Sequence, residues 1–304
     1  MRTIFVGGPG RSGTSFVAAQ LGTHPSVGTL PGIELKLFTE KGGLLDLHHS
    51  LVCAYSPNRA TVALRQFRGV VDALVHGRFG QQALGEIASP DVWHEASEVF
   101  VTALLKDGHP SRLSDETFFS AARSFVAAIA TICFRDVLHR PDLEIFLEKT
   151  PHALLEVGFL ERLLPGSTYL HVMRDPRSIA HSLCRVRWGP DRIETSCAWV
   201  ASYCEAHLVT LASAARLDIS LCRASIEGVA MDKHREAERL CRSMGLEVVP
   251  ELFANADLRT LNAWSEDLAD DERTLLDQRL GGWAQHFGYS RDRIGWPDHY
   301  PAAA

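Results

Sequence analysis

The stretch GGPGRSGTS, residues 7–15, decides the fold of this chain. A short apolar run, TIFV, precedes it, and TSFVAAQL continues it with the apolar spacing of a helix. Strand, glycine-rich loop and helix in this order are typical of a phosphate-binding loop, because the loop N–H groups and the helix N-terminus point at an anion. Gly8 and Gly13 have the spacing of such a loop, with four residues between them.

The loop lacks the lysine that nucleoside triphosphatases place after the second glycine. Thr14 stands in that position, Ser15 follows it, and Arg11 is the only cation of the loop. A kinase or triphosphatase would also place an aspartate directly after a neighbouring strand to hold magnesium, whereas the strand-like YLHVM runs first into Arg174. The loop therefore predicts a phosphate ligand of another kind. A strand-to-helix turn without any ligand is the alternative.

A second candidate anion site lies in RDPRSIAHSL, residues 174–183. Arg174 follows a strand-like run, and Ser182 lies eight residues later, after a turn and two helical turns. A guanidinium can bind a phosphate with two hydrogen bonds, and a serine hydroxyl can add an uncharged donor. We interpret the pair as a second phosphate site at the same sheet edge, although an arginine in this position alone is usually a surface ion-pair residue.

The composition excludes several classes of protein. At 304 residues and 46% hydrophobic composition, the chain is long enough for one large domain or two modest ones. A net charge of -6 argues against a nucleic-acid partner. The seven cysteines contain no CxxC pair, which favours a reducing cytoplasm over a disulfide framework or a zinc site. No run approaches the ~18 apolar residues of a membrane span, so we expect a cytoplasmic protein without a membrane partner. The oligomeric state is left open.

The order of predicted elements indicates the fold class. Residues 144–183 alternate strand and helix twice, and Thr150 and Asp175 each precede a proline, as helix N-caps often do. Residues 44–140 are mainly helical, and later helices are predicted over 192–216 and 270–288. This rhythm predicts an α/β, P-loop-like three-layer domain that spans residues 1–304, with a central parallel sheet and a helical insertion at 44–140.

The strings GGPGRSGTS, EKTP and VMRDPRSIAHSL together resemble the PAPS-dependent sulfotransferases, in particular the branch with tyrosylprotein and bacterial small-molecule enzymes. The resemblance covers residues 3–27, 145–187 and, more loosely, 235–289. It implies that PAPS is the co-substrate, that PAP is the product and that no metal is needed. The resemblance does not extend to residues 44–140, which we expect to form the acceptor side.

The resemblance assigns the nucleotide contacts residue by residue. The 5′-phosphosulfate loop comprises Arg11, Ser12, Gly13, Thr14 and Ser15. Arg174 and Ser182 match the 3′-phosphate motif, and the family's further arginine falls between Arg185 and Arg187, so both are candidates. Lys149 of EKTP matches the lysine at the bridging oxygen, with Arg11 as a second cation for the leaving group.

The resemblance also names a candidate general base. The tyrosylprotein branch has a glycine followed two residues later by a glutamate, which Gly32 and Glu34 match after an insertion of about two residues, with Lys36 as a nearby cation. His48 and His49 are the alternative bases, since another branch uses histidine. A structural role is expected for His24, and Trp264 and Tyr289 are expected in the core.

These observations predict an enzyme that moves a sulfuryl group from PAPS to a hydroxyl of a small molecule, such as an alcohol, a phenol or a sugar. Glu34 acts as base, and Lys149 and Arg11 stabilise the leaving group. A peptide tyrosine is the alternative acceptor within the family. A P-loop nucleotide kinase and a nucleotide-binding module without catalysis are the alternatives outside it.

Overall fold

The structure is a computed structural model that describes residues 1–30, 32–79, 81–254 and 263–289. Five strands form one sheet in the order β2–β5–β1–β6–β7, in which β2 pairs with β5 and β6 pairs with β7 in parallel. The strands are β1 (Arg2–Gly7), β2 (Val27–Thr29), β5 (Ile145–Lys149), β6 (Thr168–Met173) and β7 (Leu221–Ser225). The predicted α/β class, with a central parallel sheet flanked by helices, is confirmed.

The chain forms two compact units. The first comprises residues 1–5 and 25–167, and the second comprises residues 6–24 and the described residues from Thr168 onward. Strand β1 contributes residues to both units. The prediction of a single domain over residues 1–304 stays a prediction.

The first unit contains the predicted helical insertion. Its helices are α2 (Leu44–His48), α3 (Pro57–Val75), α4 (Leu84–Ile87), α5 (Pro90–Ala103), α6 (Asp115–Ile132) and α7 (Val157–Leu163), with π-helical turns at His49–Cys53 and Cys133–Val137 and a 3₁₀ turn at Ala153–Glu156. A short antiparallel hairpin of β3 (Leu105–Lys106) and β4 (His109–Pro110) interrupts the helices. The insertion is therefore mainly helical, as predicted.

The core of the first unit is aromatic. Phe67, Phe100 and Phe125 form a triangle on α3, α5 and α6, with ring centroids 4.8 to 5.5 Å apart. Among the described residues, one helical stretch, 115–137, is long and apolar enough for a membrane span, with 56% of its most apolar window buried. The expectation that no run approaches a span is thus wrong on length and composition, because alanines between the aromatic residues keep the hydropathy high.

In the second unit, helices α8, α9 and α13 pack around the end of β6. Its helices are α1 (Thr14–Leu21), α8 (Pro176–Cys184), α9 (Ile193–Arg216), α10 (Ile226–Met231), α11 (Lys233–Ser243), α12 (Ala263–Asp267) and α13 (Asp270–His286), with a 3₁₀ turn at Pro250–Phe253. Met173 of β6, Ile179 of α8 and Leu280 of α13 belong to one buried cluster. The end of β6 is therefore packed against α8 and α13.

The two predicted N-caps differ in outcome. The Asp175 carboxylate accepts a hydrogen bond from the Arg177 backbone N–H at 2.9 Å, and α8 begins at the proline after it, as predicted. The prediction for Thr150 is wrong, because the next helical turn begins only at Ala153. The Thr150 hydroxyl instead donates to Glu148 Oε1 at 2.6 Å. A buried carboxylate requires a donor, and Glu148 competes successfully for this hydroxyl.

Candidate functional site

The glycine-rich loop of the second unit has a backbone that side chains would disturb. A Cβ on Gly8 would lie 2.2 Å from the Val172 carbonyl oxygen, so the loop approaches β6 more closely than any other residue type allows. Gly13 has a φ of 95°, and a Cβ there would meet Ile226 at 2.5 Å. Arg11 adopts a φ of 71° although it is not glycine. The loop is therefore tightly turned, as the sequence predicted.

The loop ends at a helix N-terminus that is suited to an anion. Helix α1 begins at Thr14 with no side-chain cap and no acidic residue in its first turn. Ser12 is completely buried, and its hydroxyl has no hydrogen-bond partner within the described residues. Backbone donors, the positive end of the helix dipole and a buried hydroxyl without a partner together favour a phosphate-like ligand.

A side-chain hydrogen bond brings the two predicted phosphate motifs together. Arg11 Nε donates to Ser182 Oγ of α8 at 3.1 Å. In the part of the chain that the structure describes, Arg11 has no carboxylate partner. The loop cation and the hydroxyl of the second motif thus face the same space in the second unit.

Arg174 lies at the carboxyl end of β6 in a partly buried position. Burial lowers the pKa of its guanidinium, and the nearby Arg11 cation lowers it further. The carboxylates of Glu227 and Asp175 oppose this change in the pKa. Two arginines at one place create a positive potential that an anionic ligand would relieve.

The loop after α8 distinguishes Arg185 from Arg187. Arg185 Nη1 donates to Asp267 Oδ2 at 2.5 Å, so an exposed carboxylate already engages it. Arg187 is exposed and has no acidic partner in the described ranges. Of the two arginines that the sequence left open, Arg187 is the one available to a ligand.

A buried network of hydrogen bonds and an ion pair holds Asp175, the residue that follows Arg174. Glu227, whose pKa is raised by burial, accepts hydrogen bonds from the Asp175 backbone N–H at 2.9 Å and from the Tyr289 hydroxyl at 3.2 Å. Arg177 bonds to the Asp175 carboxylate and lies 4.7 Å from the centre of the Trp264 ring. Tyr289 is buried and Trp264 packs against the core, as expected from the sequence.

The first unit contains the predicted glutamate and lysine in direct contact. Lys149 Nζ, at the end of β5, donates to Glu34 Oε1 at 2.6 Å. The lysine side chain is 6% exposed and the glutamate side chain 25%, so the lysine is buried and the glutamate is partly accessible to solvent. Glu34 Oε2 lies 3.9 Å from Lys36 Nζ, which is beyond hydrogen-bond distance.

The backbone of Glu34 is held by a residue that sequence reasoning missed. The side-chain amide of Gln81 donates to the Glu34 carbonyl at 2.9 Å, and its oxygen accepts from the Glu34 N–H at 3.0 Å. Gln81 lies 47 residues later, and no motif marks it. This amide clamp orients a segment that has no regular secondary structure.

Glu148 is a second acid that the sequence did not single out as functional. It precedes Lys149 on β5, and burial raises its pKa to about 7, while the Thr150 hydroxyl and the Lys149 cation act in the opposite direction. Its Oε2 is buried without a partner among the described residues. The glutamate of the string EKTP was the sequence signal that could have identified this acid.

The two histidines that are the alternative bases differ in burial and in their partners. His48 is buried, and its Nε2 lies 2.6 Å from Asp115 Oδ1, so one ring nitrogen already has a partner. His49 is exposed. His24 is buried, with Nε2 2.9 Å from the Glu247 carbonyl oxygen, which fits the structural role expected for it.

No metal-binding cluster of three or more His, Cys, Asp or Glu side chains occurs within the described residues. Asp175, the acid that follows β6 after Arg174, is engaged by Arg177 at 2.8 Å and by a backbone N–H. Its carboxylate is therefore already neutralised by an ion pair.

Comparisons with known proteins agree with these observations. Residues 78–251 match the model of the sulfotransferase family, a range that includes Lys149, Arg174 and Ser182 but not the glycine-rich loop. The chain matches none of the curated proteins.

Solved structures give weaker similarity. The sulfotransferase domain from the Synechococcus PCC 7002 olefin synthase has 16% identity and a TM-score of 0.49, over 91% of this chain and 93% of that one. The sulfotransferase domain from the curacin biosynthetic pathway has 16% identity and a TM-score of 0.48, over 92% and 97%. Sulfotransferase STF9 from Mycobacterium avium has 13% identity and a TM-score of 0.45, over 95% and 77%. Because these TM-scores are below 0.5, the α/β assignment is based on the strand order of this chain and not on these similarities.

Proposed function

Since this chain belongs to the sulfotransferase family, we propose that it transfers a sulfuryl group from PAPS to a hydroxyl of a small molecule, such as an alcohol, a phenol or a sugar. The hydrogen bond from Arg11 to Ser182 is the observation that carries the proposal. It joins the two motifs that the resemblance assigns to two different phosphates, and PAPS carries a 5′-phosphosulfate and a 3′-phosphate.

The second unit would bind the nucleotide. The N–H groups at the start of α1 and the hydroxyls of Ser12, Thr14 and Ser15 would hold the 5′-phosphate, with Gly13 allowing the turn. Arg174 and Ser182 would hold the 3′-phosphate. Arg187 would add to this phosphate site, because no acidic residue within the described ranges pairs with it, whereas Arg185 would first have to leave Asp267.

The first unit would supply the acid–base chemistry. Glu34 would take the acceptor proton as the new sulfur–oxygen bond forms and the bond from sulfur to the bridging phosphate oxygen breaks. Oε2 is the oxygen for this task, because Oε1 accepts from Lys149. Lys149, together with Arg11, would stabilise the charge that grows on the leaving oxygen.

We prefer Glu34 to the histidines as the base. His48 is buried and shares one ring nitrogen with Asp115. His49 is exposed, and no described residue orients its ring toward a substrate. Glu34 has a fixed backbone, one engaged oxygen and one oxygen that can accept a proton.

A nucleotide kinase is the second candidate, and the environment of Asp175 speaks against it. A kinase would use an acid near this strand end to hold magnesium, but the Asp175 carboxylate is bound by Arg177. A nucleotide-binding module without catalysis would keep the anion site and transfer nothing. A peptide tyrosine remains the alternative acceptor within the family.

The test is a transfer assay with labelled PAPS against pooled alcohols, phenols, sugars and tyrosine peptides, in the presence of EDTA. We expect label to move to a small-molecule pool and PAP alone to raise the melting temperature. Transfer to the peptide pool alone would replace the acceptor class. Stabilisation by ATP with magnesium but not by PAP would support the kinase, and stabilisation by PAP without transfer to any pool would support the non-catalytic module.

A further inference from the structure

A cysteine, a histidine and an aspartate form a connected group in the first unit, apart from the residues used above. Cys53 Sγ lies 3.7 Å from His48 Nδ1, and His48 Nε2 lies 2.6 Å from Asp115 Oδ1. A nucleophile next to a base, with the base oriented by a third group, is the arrangement that activates cysteine and serine nucleophiles.

The π-helical turn after α2 brings Cys53 to His48. In a regular α-helix, side chains five residues apart point about 140° away from each other. The turn at His49–Cys53 has the wider i to i+5 hydrogen bonding, shown by Ala54 N–H donating to the His49 carbonyl at 2.8 Å. This widening places residue 53 roughly one turn above residue 48.

Asp115 sets the tautomer of His48. A carboxylate only accepts hydrogen bonds, so the proton between the two groups belongs to His48 Nε2. The His48 ring then presents an unprotonated Nδ1 to Cys53 Sγ. The His48 hydrogen bond lowers the pKa of Asp115, and Arg162, 2.7 Å away, lowers it further.

The surroundings hold the imidazole in place. His48 stacks on Phe119 with ring centroids 5.0 Å apart, and Phe118 and Phe159 approach it at 5.2 and 5.8 Å. These rings come from α6 and α7, and the charged groups that those helices bring to the site are Asp115 and Arg162. The base is therefore buried and oriented, while the thiol is exposed.

The other thiols differ in environment. Cys133, Cys197 and Cys204 are buried, and burial raises their pKa values to about 12, 11 and 12. Cys222 is half-buried and donates to the Ser243 carbonyl at 3.2 Å. Exposure combined with a histidine neighbour is thus the property that distinguishes Cys53 in the described region.

We propose that Cys53 is an activated thiol and that its reaction partners are small-molecule disulfides. Cys53 gives its proton to His48 Nδ1, and Sγ attacks one sulfur of the disulfide. The new sulfur–sulfur bond forms as the old one breaks, and the leaving thiolate takes the proton from the imidazolium. The products are a mixed disulfide on Cys53 and one free thiol, so the exchange needs no other oxidant.

Asp115 is a positioning residue in this proposal, and its substitution gives the sharpest test. The reaction with 5,5′-dithiobis(2-nitrobenzoate) is followed by absorbance across about pH 5 to 9, with peptide mapping to identify the modified cysteine. We expect Cys53 to react first, and at neutral pH at least about tenfold faster than the same thiol in the urea-unfolded chain. The rate advantage over the unfolded chain should be larger at about pH 6 than at about pH 9, where a free thiol is already largely ionised.

Asp115→Asn should remove most of this rate advantage, most clearly at the acid end of the pH range, because an amide no longer sets the tautomer. Asp91→Asn is the matched control, since Asp91 is an exposed acid in the first turn of another helix of the same unit, and it should change nothing. His48→Gln should act like Asp115→Asn; if this buried substitution prevents folding, the Asp115 variant decides alone. A Cys53 rate equal to that of the unfolded chain, or unchanged by Asp115→Asn, overturns the proposal.

Discussion

At the scale of single residues, Arg11 and Ser182 show how a pair 171 positions apart in sequence becomes one contact. The arginine has a left-handed backbone conformation, and the serine is on the helix that follows β6. Neither residue is unusual by itself, since most exposed arginines and half-buried serines only solvate a surface. Their contact, close to the partly buried Arg174, is what supports the proposed anion site.

Arg174→Ala should reduce the affinity for PAP much more than the affinity for adenosine 5′-phosphosulfate, which lacks the 3′-phosphate. Charge-assisted hydrogen bonds predict a loss of about 1.5 to 3 kcal/mol, or roughly 10- to 150-fold in Kd, for PAP alone. Calorimetric titration of both ligands measures the difference. Arg192→Ala, at an exposed arginine before α9, is the control. Equal losses for the two ligands would remove Arg174 from the 3′-phosphate site.

Glu34→Gln should separate binding from turnover. The amide keeps the size of the side chain but cannot accept the acceptor proton, so we expect turnover to fall by about 10² to 10⁴ while PAP affinity is retained. A nitrophenol acceptor should recover part of the rate, because its hydroxyl is more acidic. Glu95→Gln, at an exposed glutamate of the same unit, should be neutral. Near-normal turnover of an alkyl alcohol would direct attention to His49.

At the scale of elements, the phosphate loop depends on the distance between two backbone segments. Gly8→Ala would place a Cβ 2.2 Å from the Val172 carbonyl oxygen, so either the loop or β6 must move. We expect a lower melting temperature and weaker binding of PAP. Gly69→Ala is the contrasting variant, because Gly69 lies within α3 with no heavy atom within 4 Å of a new Cβ. It should stabilise the chain by up to about 1 kcal/mol, and equal effects of the two variants would argue against a close approach at Gly8.

At the scale of the whole molecule, buried ionisable groups make stability depend on pH in two opposite ways. His171 and His207 are fully buried and stacked with ring centroids 3.7 Å apart, and their four ring nitrogens lack partners in the described ranges. Burial lowers the pKa of both, to about 4 for His207, and Arg223 lowers it further. Within the described residues no carboxylate acts to raise either pKa, so protonation is costly in the folded state.

Acidification should therefore lower the stability of the folded state through this histidine pair. Between the unfolded pKa of about 6.5 and the folded pKa of about 4, the unfolded state binds a proton at His207 that the folded state excludes. Stability is retained above pH 6.5 and falls by up to about 3 kcal/mol on acidification to pH 4. His207→Phe should flatten this loss in thermal melts across the pH range, whereas His234→Phe, at an exposed histidine, should not. An unchanged slope for His207→Phe would show that the pair does not exclude protons.

Glu148 should act in the other direction. Its folded pKa is about 7, above the unfolded value of about 4.3, so the folded state holds a proton that the unfolded state loses. Stability therefore decreases as the pH rises from 4.3 through 7. Glu148→Gln should be more stable than the unchanged chain at pH 8 and nearly equal to it at about pH 4, while the exposed Glu95→Gln shows no such trend. A gain at about pH 4 as large as at pH 8 would contradict an ionisation effect.

Local pattern determined much of this protein. The strand, loop and helix around residues 7–15, strand β6, and the Asp175 cap are all visible in the sequence, because alternation, glycine spacing and X-Pro signals act within a few residues. The N-cap predicted at Thr150 does not form, because the Thr150 hydroxyl donates to the buried Glu148 carboxyl group instead. The other oxygen of Glu148 has no partner within the described residues.

Tertiary structure alone decided which distant groups meet. No pattern in sequence links Gln81 to the backbone of Glu34, or His171 to His207, and the exposure of Cys53 beside a buried His48 depends on one widened helical turn. The resemblance assigns the glycine-rich loop and the motif at residues 174–183 to one ligand. The two motifs come into contact, through Arg11 and Ser182, because α8 packs directly after β6. The physical reason is that hydrogen bonds and burial depend on distance in space, and sequence spacing predicts that distance only within a single helix, strand or turn.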